Sequence, residues 1–123
     1  MKSGTCGENL TYQLDEDGTL IIDATGYMNN YRGDNIAWWQ IIRAFIKKII
    51  IKNGVTSIGD YAFAYCANLT SVEIPHSVAF IGEWAFYRCH GLYHIVLPYG
   101  VKVLCSFSFS DYKNLERVFI AKK

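Results

Sequence analysis

The sequence predicts a repeat solenoid of the α/β type, with a short parallel sheet on its concave face and a β-hairpin plus a short helix as an N-terminal cap. Three observations carry this. Six apolar columns recur at a step of 23 residues from residue 46 onward. Within the repeats a short run alternates apolar with variable residues, the period-2 mark of a half-buried strand, and twice it runs into a proline, at Pro75 and Pro98. A chain of 123 residues, 51% hydrophobic and 19% charged, also has the apolar material for a core, which excludes disorder. The cap is expected over residues 1–45 and the array over residues 46–123, as one continuous structural domain.

Taken in chain order, Leu10–Leu14 and Thr19–Asp23 flank the acidic turn Asp15-Glu16-Asp17-Gly18. Two alternating runs joined by a turn ending in Asp-Gly read as a β-hairpin. Asn35–Ile46 is apolar almost all round, with Trp38, Trp39, Ile41, Ile42 and Phe45, and its length favours a short buried helix. Hairpin and helix together are expected to cover the first coil as a lid.

The repeats follow. Val55, Val78 and Val101 stand 23 apart, and so do Ile58, Ile81 and Leu104; Phe63, Phe86 and Phe109; Leu69, Leu92 and Leu115; Val72, Ile95 and Val118; Ile74, Leu97 and Ile120. Ile46, Ile49 and Ile51 lie one step before Leu69, Val72 and Ile74 and open the array. Strands are expected at Ile49–Ile51, Val72–Ile74, Ile95–Leu97 and Val118–Ile120, in one parallel sheet. Each proline ends a strand because it has no N–H for the ladder. Gly59 and Gly82 are expected to permit a tight bend, with Phe63, Phe86 and Phe109 stacked beneath the sheet. A single coil cannot bury its own apolar face, whereas stacked coils bury one continuous core.

The run Cys66-x-x-Leu69-x-x-Val72-x-Ile74-Pro75-x-x-Val78-x-x-Ile81-Gly82-x-x-Ala85-Phe86-x-x-Cys89 resembles the BspA-like, or treponemal-type, leucine-rich repeat, and the resemblance covers residues 46–120. Gly4-Thr5-Cys6-Gly7-Glu8-Asn9-Leu10-Thr11-Tyr12 through Asp17-Gly18-Thr19-Leu20 resembles the segment that often precedes such arrays in bacterial surface proteins. The resemblance implies a leucine-rich-repeat fold and a surface or secreted binding protein, some members being adhesins. The last copy departs from the pattern: Cys105 stands at the glycine position, Ser108 at the alanine and Tyr112 at the cysteine.

Two rows of residues alternate out of the expected sheet: Lys48, Ser71, His94 and Arg117, and Ile50, Glu73, Val96 and Phe119. Such rows line the face on which solenoids dock partners, and the outward apolar residues Ile50, Val96 and Phe119 suggest contact rather than a plain solvated sheet. They are the candidate ligand-contact residues. A second candidate surface is Tyr61, Trp84 and Phe107, again 23 apart. Those aromatics either meet a ligand or shield the edge of the core.

Catalytic and metal-binding classes find no support in the sequence. There is no G-x-S-x-G, H-E-x-x-H or P-loop pattern, and no cofactor is expected. His90 and His94 after Cys89 give a loose C-H-x-x-x-H that a turn followed by a strand would scatter, so surface histidines are expected. Cys66 and Cys89 read as small, buried, reduced residues of one column, since parallel side chains would hold their Cβ atoms beyond the ~3.8 Å of a disulfide. Cys6 and Cys105 stay unplaced. Net charge is +1, distributed as −4 over residues 1–31 and +5 over the rest, too balanced for a nucleic-acid partner.

No apolar leader follows Met1-Lys2, and the longest wholly apolar run, Tyr61–Ala67, is too short to insert in a membrane. A surface or secreted location is therefore what the resemblance implies, and a cytoplasmic one stays open. The expected function is a non-catalytic binding module for a protein or glycan. The alternative is a structural or self-associating segment of a longer surface protein without a ligand of its own. The final strand, with Leu104, Phe109, Leu115 and Val118 covered from one side, is expected to favour a homo-oligomer through that end.

Overall fold

A computed structural model describes residues 2–92, 94–104 and 117–120, with the backbone alone for 94, 103, 104 and 117–120. The expected Phe109, Leu115, Cys105, Ser108, Tyr112 and Phe107 positions lie outside the described residues. The elements are β1 (Lys2–Thr5), β2 (Leu10–Leu14), β3 (Thr19–Ala24), a 3-10 helix (Trp38–Phe45), β4 (Lys48–Ile51), β5 (Ser57–Ile58), β6 (Ser71–Glu73), β7 (Phe80–Ile81), β8 (His94–Leu97), β9 (Val103–Leu104) and β10 (Arg117–Ile120). The described chain is thus mostly strand, with one short helix, where an α/β composition was expected.

The hairpin forms as read, Leu14 opposite Leu20 and Leu10 opposite Ala24. A third strand, β1, pairs antiparallel on its far side. The hairpin does not stand apart as a lid. It lies beside the first repeat strand, Leu20 against Ile49 in parallel register, so that one mixed sheet runs β1-β2-β3-β4-β6. Connection length explains the mixture. The short Asp15–Gly18 turn can only return a strand antiparallel, whereas the long crossover through the helix brings β4 in parallel.

Among the repeats, every parallel ladder joins residues 23 apart: Lys48 with Ser71, Ser57 with Phe80, Phe80 with Val103, and His94 with Arg117. The short strands β5, β7 and β9 form a second parallel ladder of their own. They fall on the V-x-x-I stretches, where no strand was expected, just before the glycines of the bend. The expectation of a single parallel sheet is corrected at one place. β8 pairs with β10, but β6 and β8 are not hydrogen-bonded to each other. β6 is only three residues long and offers Ser71 and Glu73 as its outward residues, neither a strong strand former.

The core lies under these ladders. Trp39, Phe63 and Phe86 form a column, with ring centroids 5.7 and 5.5 Å apart, and all three are fully buried. Trp39 thereby stands where a phenylalanine stands in the later coils.

The expected short helix is of the 3-10 kind and is kinked at Ile42, which fits two adjacent tryptophans, two adjacent β-branched isoleucines and an Ala37 N-cap that makes no side-chain hydrogen bond. It is also not buried all round. Trp39 and Gln40 face inward, while Trp38, Ile41 and Phe45 are exposed.

The glycines of the bend act through close approach. A Cβ on Gly59 would strike the Asn29 carbonyl oxygen, and one on Gly82 would sit 2.6 Å from the Asp60 nitrogen. The left-handed residues of the bend are instead Tyr61 (φ 58°), Tyr65 (φ 64°), Trp84 (φ 60°) and Arg88 (φ 59°), two equivalent pairs one repeat apart. Bulky residues adopt that conformation at a cost of about 1–2 kcal/mol each. Here the ladder between coils imposes it: Tyr61 N donates to Glu83 O at 2.9 Å, Phe63 N to Ala85 O at 2.8 Å and Tyr65 N to Tyr87 O at 2.6 Å.

Candidate functional site

The outward rows of the sheet come together only in part. Lys48 neighbours Ser71 and Ile50 neighbours Glu73 on one side; His94 neighbours Arg117 and Val96 neighbours Phe119 on the other. The unpaired seam between β6 and β8 divides the two halves. Along the seam runs a cavity of about 330 Å³, walled by Glu73, Ile74 and His76 on one bank and Val96 and Pro98 on the other. Across β4 and β6, Lys48 Nζ lies 3.1 Å from Glu73 Oε2. Val96 is 48% exposed, the outward apolar residue that was expected, whereas Ile50 is half-buried.

Two residues of this face escaped the sequence reading. Thr19 and Ile21 of β3 prolong the rows, beside Lys48 and Ile50. The step from β3 to β4 is 29 residues rather than 23, so the repeat arithmetic could not reach them. Only the alternation within Thr19–Asp23 carried the signal.

The second candidate surface is built on the left-handed bend residues. Tyr61 and Trp84 stack with centroids 6.0 Å apart and planes 14° from parallel, both half-buried. Tyr87 meets Trp84 edge-on at 4.7 Å and Tyr65 meets Tyr87 likewise at 5.4 Å. The Arg32 guanidinium covers Tyr61 at 5.8 Å and grips Asp60 at 2.8 Å and Glu83 at 2.5 Å. Its hydrogen bonds to Glu83 and Asp60 raise its pKa above the ordinary arginine value. Asp60 and Glu83 are 23 apart, so one arginine from the N-terminal segment clamps two successive coils. Tyr61 packs against the core while keeping part of its ring exposed.

The thiols are structural. Cys6, Cys66 and Cys89 are free and buried. A hydrogen bond to Cys89, and then burial, raise the Cys66 thiol well above its usual value, and Cys89 Sγ donates to Phe63 O at 3.1 Å. Burial pushes Cys6 up to about 12. Thiols held protonated in this way are poor nucleophiles and poor metal ligands. His90 is half-buried rather than a surface residue. Among the described residues no three of His, Cys, Asp and Glu gather as a metal site, and no helix is long and apolar enough to cross a membrane.

Comparison with known proteins agrees with this geometry. The profile of the BspA type leucine-rich repeat region matches residues 43–123, in six copies. The chain belongs to the BspA-type leucine-rich repeat family.

Solved structures share the fold of this BspA-type chain. A leucine-rich repeat protein from Bacteroides capillosus superposes with a TM-score of 0.64 at 20% identity, over 93% of this chain and 95% of its own. One from Eubacterium ventriosum gives 0.63 at 21% identity over 99% of this chain, and a leucine-rich cell surface protein from Faecalibacterium prausnitzii gives 0.58 at 15% over 96%. The chain spans 45% and 39% of the length of these last two. No relative was found among curated proteins. At these identities the likeness establishes the fold alone.

Proposed function

We propose that this BspA-type repeat chain is a non-catalytic binding module of solenoid form, that it docks a protein or glycan on the outward face of its sheet, and that it works at the cell surface or after secretion. The solenoid reading is supported by the uniform register of the repeat ladders, and the location by the surface protein among its structural neighbours. The observation that carries the binding site is the seam. Exposed Val96 and Glu73, the partner of Lys48, border a groove between two half-sheets. Apolar surface ringed by charge is the common composition of an interface. The residues assigned to contact are Lys48, Ile50, Ser71, Glu73 and Val96, with His94, Arg117 and Phe119 continuing the face by register.

The test is a labelled chain applied to arrays of immobilised proteins and glycans. A ligand retained by the wild type and weakened at least tenfold by Val96→Asp and by Lys48→Glu supports the reading. Ligands that bind both variants as well as wild type, with circular dichroism unchanged, remove the face from the site. Silence on both arrays with concentration-dependent self-association returns the alternative, a structural segment.

A further inference from the structure

We propose a second binding site, in which an apolar trough along the 3-10 helix takes an extended peptide segment of a partner protein carrying a carboxylate next to a large apolar side chain. Two cavities, of about 320 and 530 Å³, share Ile36, Gln40 and Arg43 and so form one continuous depression. One end is walled by Tyr61 and Tyr65 of the coil bend, the other by Ile41 and Phe45 of the helix. Ile36, Ile41, Phe45 and Tyr65 are among the most exposed large hydrophobic residues described, Ile41 at 72%. Their clustering, rather than any one exposure, is what needs a partner.

Charge selects the occupant. Arg43 is the only charged residue lining either cavity. Its guanidinium lies 5.3 Å over the Tyr65 ring and gives one N–H to Gln40 O at 3.4 Å. Among the described residues no carboxylate pairs with it. The guanidinium keeps its other donors in the fork that fits a carboxylate. Ile36, Ile41 and Phe45 offer no side-chain hydrogen bond to the hydroxyls of a sugar, whereas leucine-like or aromatic side chains of a peptide fill such a trough. A peptide with an acid beside such a side chain satisfies both the walls and the cation. The site shares no residue with the sheet face and does not depend on it.

The experiment is selection of a randomised heptapeptide phage library on the immobilised full chain. The expected result is enrichment of sequences with Asp or Glu within two positions of Leu, Ile, Phe, Tyr or Trp. A synthetic peptide from that pool should bind at least tenfold more weakly when its acid is amidated, and when the chain carries Arg43→Gln. Ile41→Ser, at an exposed position, gives the same loss without touching the core. Val96→Asp on the sheet leaves the affinity unchanged, which separates this site from the other. The proposal fails if selection shows no acidic preference, or if the peptide binds Arg43→Gln as tightly as wild type. It fails equally if maltotriose perturbs the Tyr61 and Tyr65 resonances while no peptide does, or if the trough is occupied by a second copy of the chain in a dimer that Ile41→Ser dissolves.

Discussion

The carbonyl of Ala62 is the point at which the array has to be finished on its N-terminal side. In the next coil the equivalent carbonyl, Ala85 O, receives the backbone N–H of Phe63 at 2.8 Å. Gln40 stands 23 residues before Phe63, but its own backbone N–H is spent on Ala37 O. Its side-chain amide takes over, Nε2 donating to Ala62 O at 3.0 Å, and Trp39 Nε1 donates to the same oxygen at 2.7 Å. Ala62 is fully buried, so water has no access to that oxygen.

Removing one donor leaves the carbonyl satisfied by the other, at a cost of about 0.5–1.5 kcal/mol. Gln40→Met tests this at nearly constant volume. Trp39→Phe adds a loss of packing against Phe63 and Tyr12, about 1 kcal/mol or more beyond the hydrogen bond. With both changes the buried acceptor has no partner, which adds an unmet desolvation cost of about 1–3 kcal/mol. The double variant should therefore be less stable than the sum of the singles by about 1–2 kcal/mol. Urea denaturation followed by circular dichroism and by fluorescence of the remaining Trp38 and Trp84 measures it, with an unchanged m-value as the check on two-state behaviour. Additivity within about 0.5 kcal/mol would refute the reasoning, because it would mean that Ala62 O finds another donor.

Phe86→Ala should destabilise by about 3–5 kcal/mol, as truncation of a buried phenylalanine does; a loss below about 1 kcal/mol in the same assay would take it out of the core. Gly59→Ala should cost about 1–3 kcal/mol, since its Cβ meets a backbone carbonyl at Asn29, while Gly100→Ala, whose Cβ has 3.1 Å to His76 O, should cost much less. Cys6 has its thiol raised by burial to about 12 against 9.0 unfolded. The folded chain keeps the proton that the unfolded chain loses, so this group's stabilisation is complete below pH 9 and is lost as pH rises from 9 to about 12. Relative to Cys6→Ala, wild-type stability should fall across that window, and a thiol reagent at pH 8 should leave Cys6 unmodified in the folded chain.

What the sequence discloses here depends on whether a position meets its own copy. Val72, Phe63 or Leu69 packs against the residue one step away, so the same chemical demand is written again in each coil, and strands β4, β6, β8 and β10 could be placed within a residue of where they lie. β1 has no such partner. Lys2–Thr5 shows no alternation of its own and owes its strand to pairing with β2, Gly4 lying opposite Tyr12. The left-handed backbone at Tyr61 and Tyr65 has no local signal either, because it is dictated by hydrogen bonds between coils. The trough around Arg43 draws on a helix and two bends and has no period at all. Yet the repeat step carries more than apolar columns. Asn68 Nδ2 donates to Ala44 O at 2.7 Å, one step before Gly91 N donates to Ala67 O at 3.1 Å. Twice, then, a side-chain amide supplies at the first coil the donor that the backbone supplies at the second. Gln40 and Asn68 sit in register with Phe63 and Gly91. Gln40, in a column otherwise held by Phe63, Phe86 and Phe109, marks where the first coil must be hydrogen-bonded by a side chain, and that mark is present in the sequence before any fold is known.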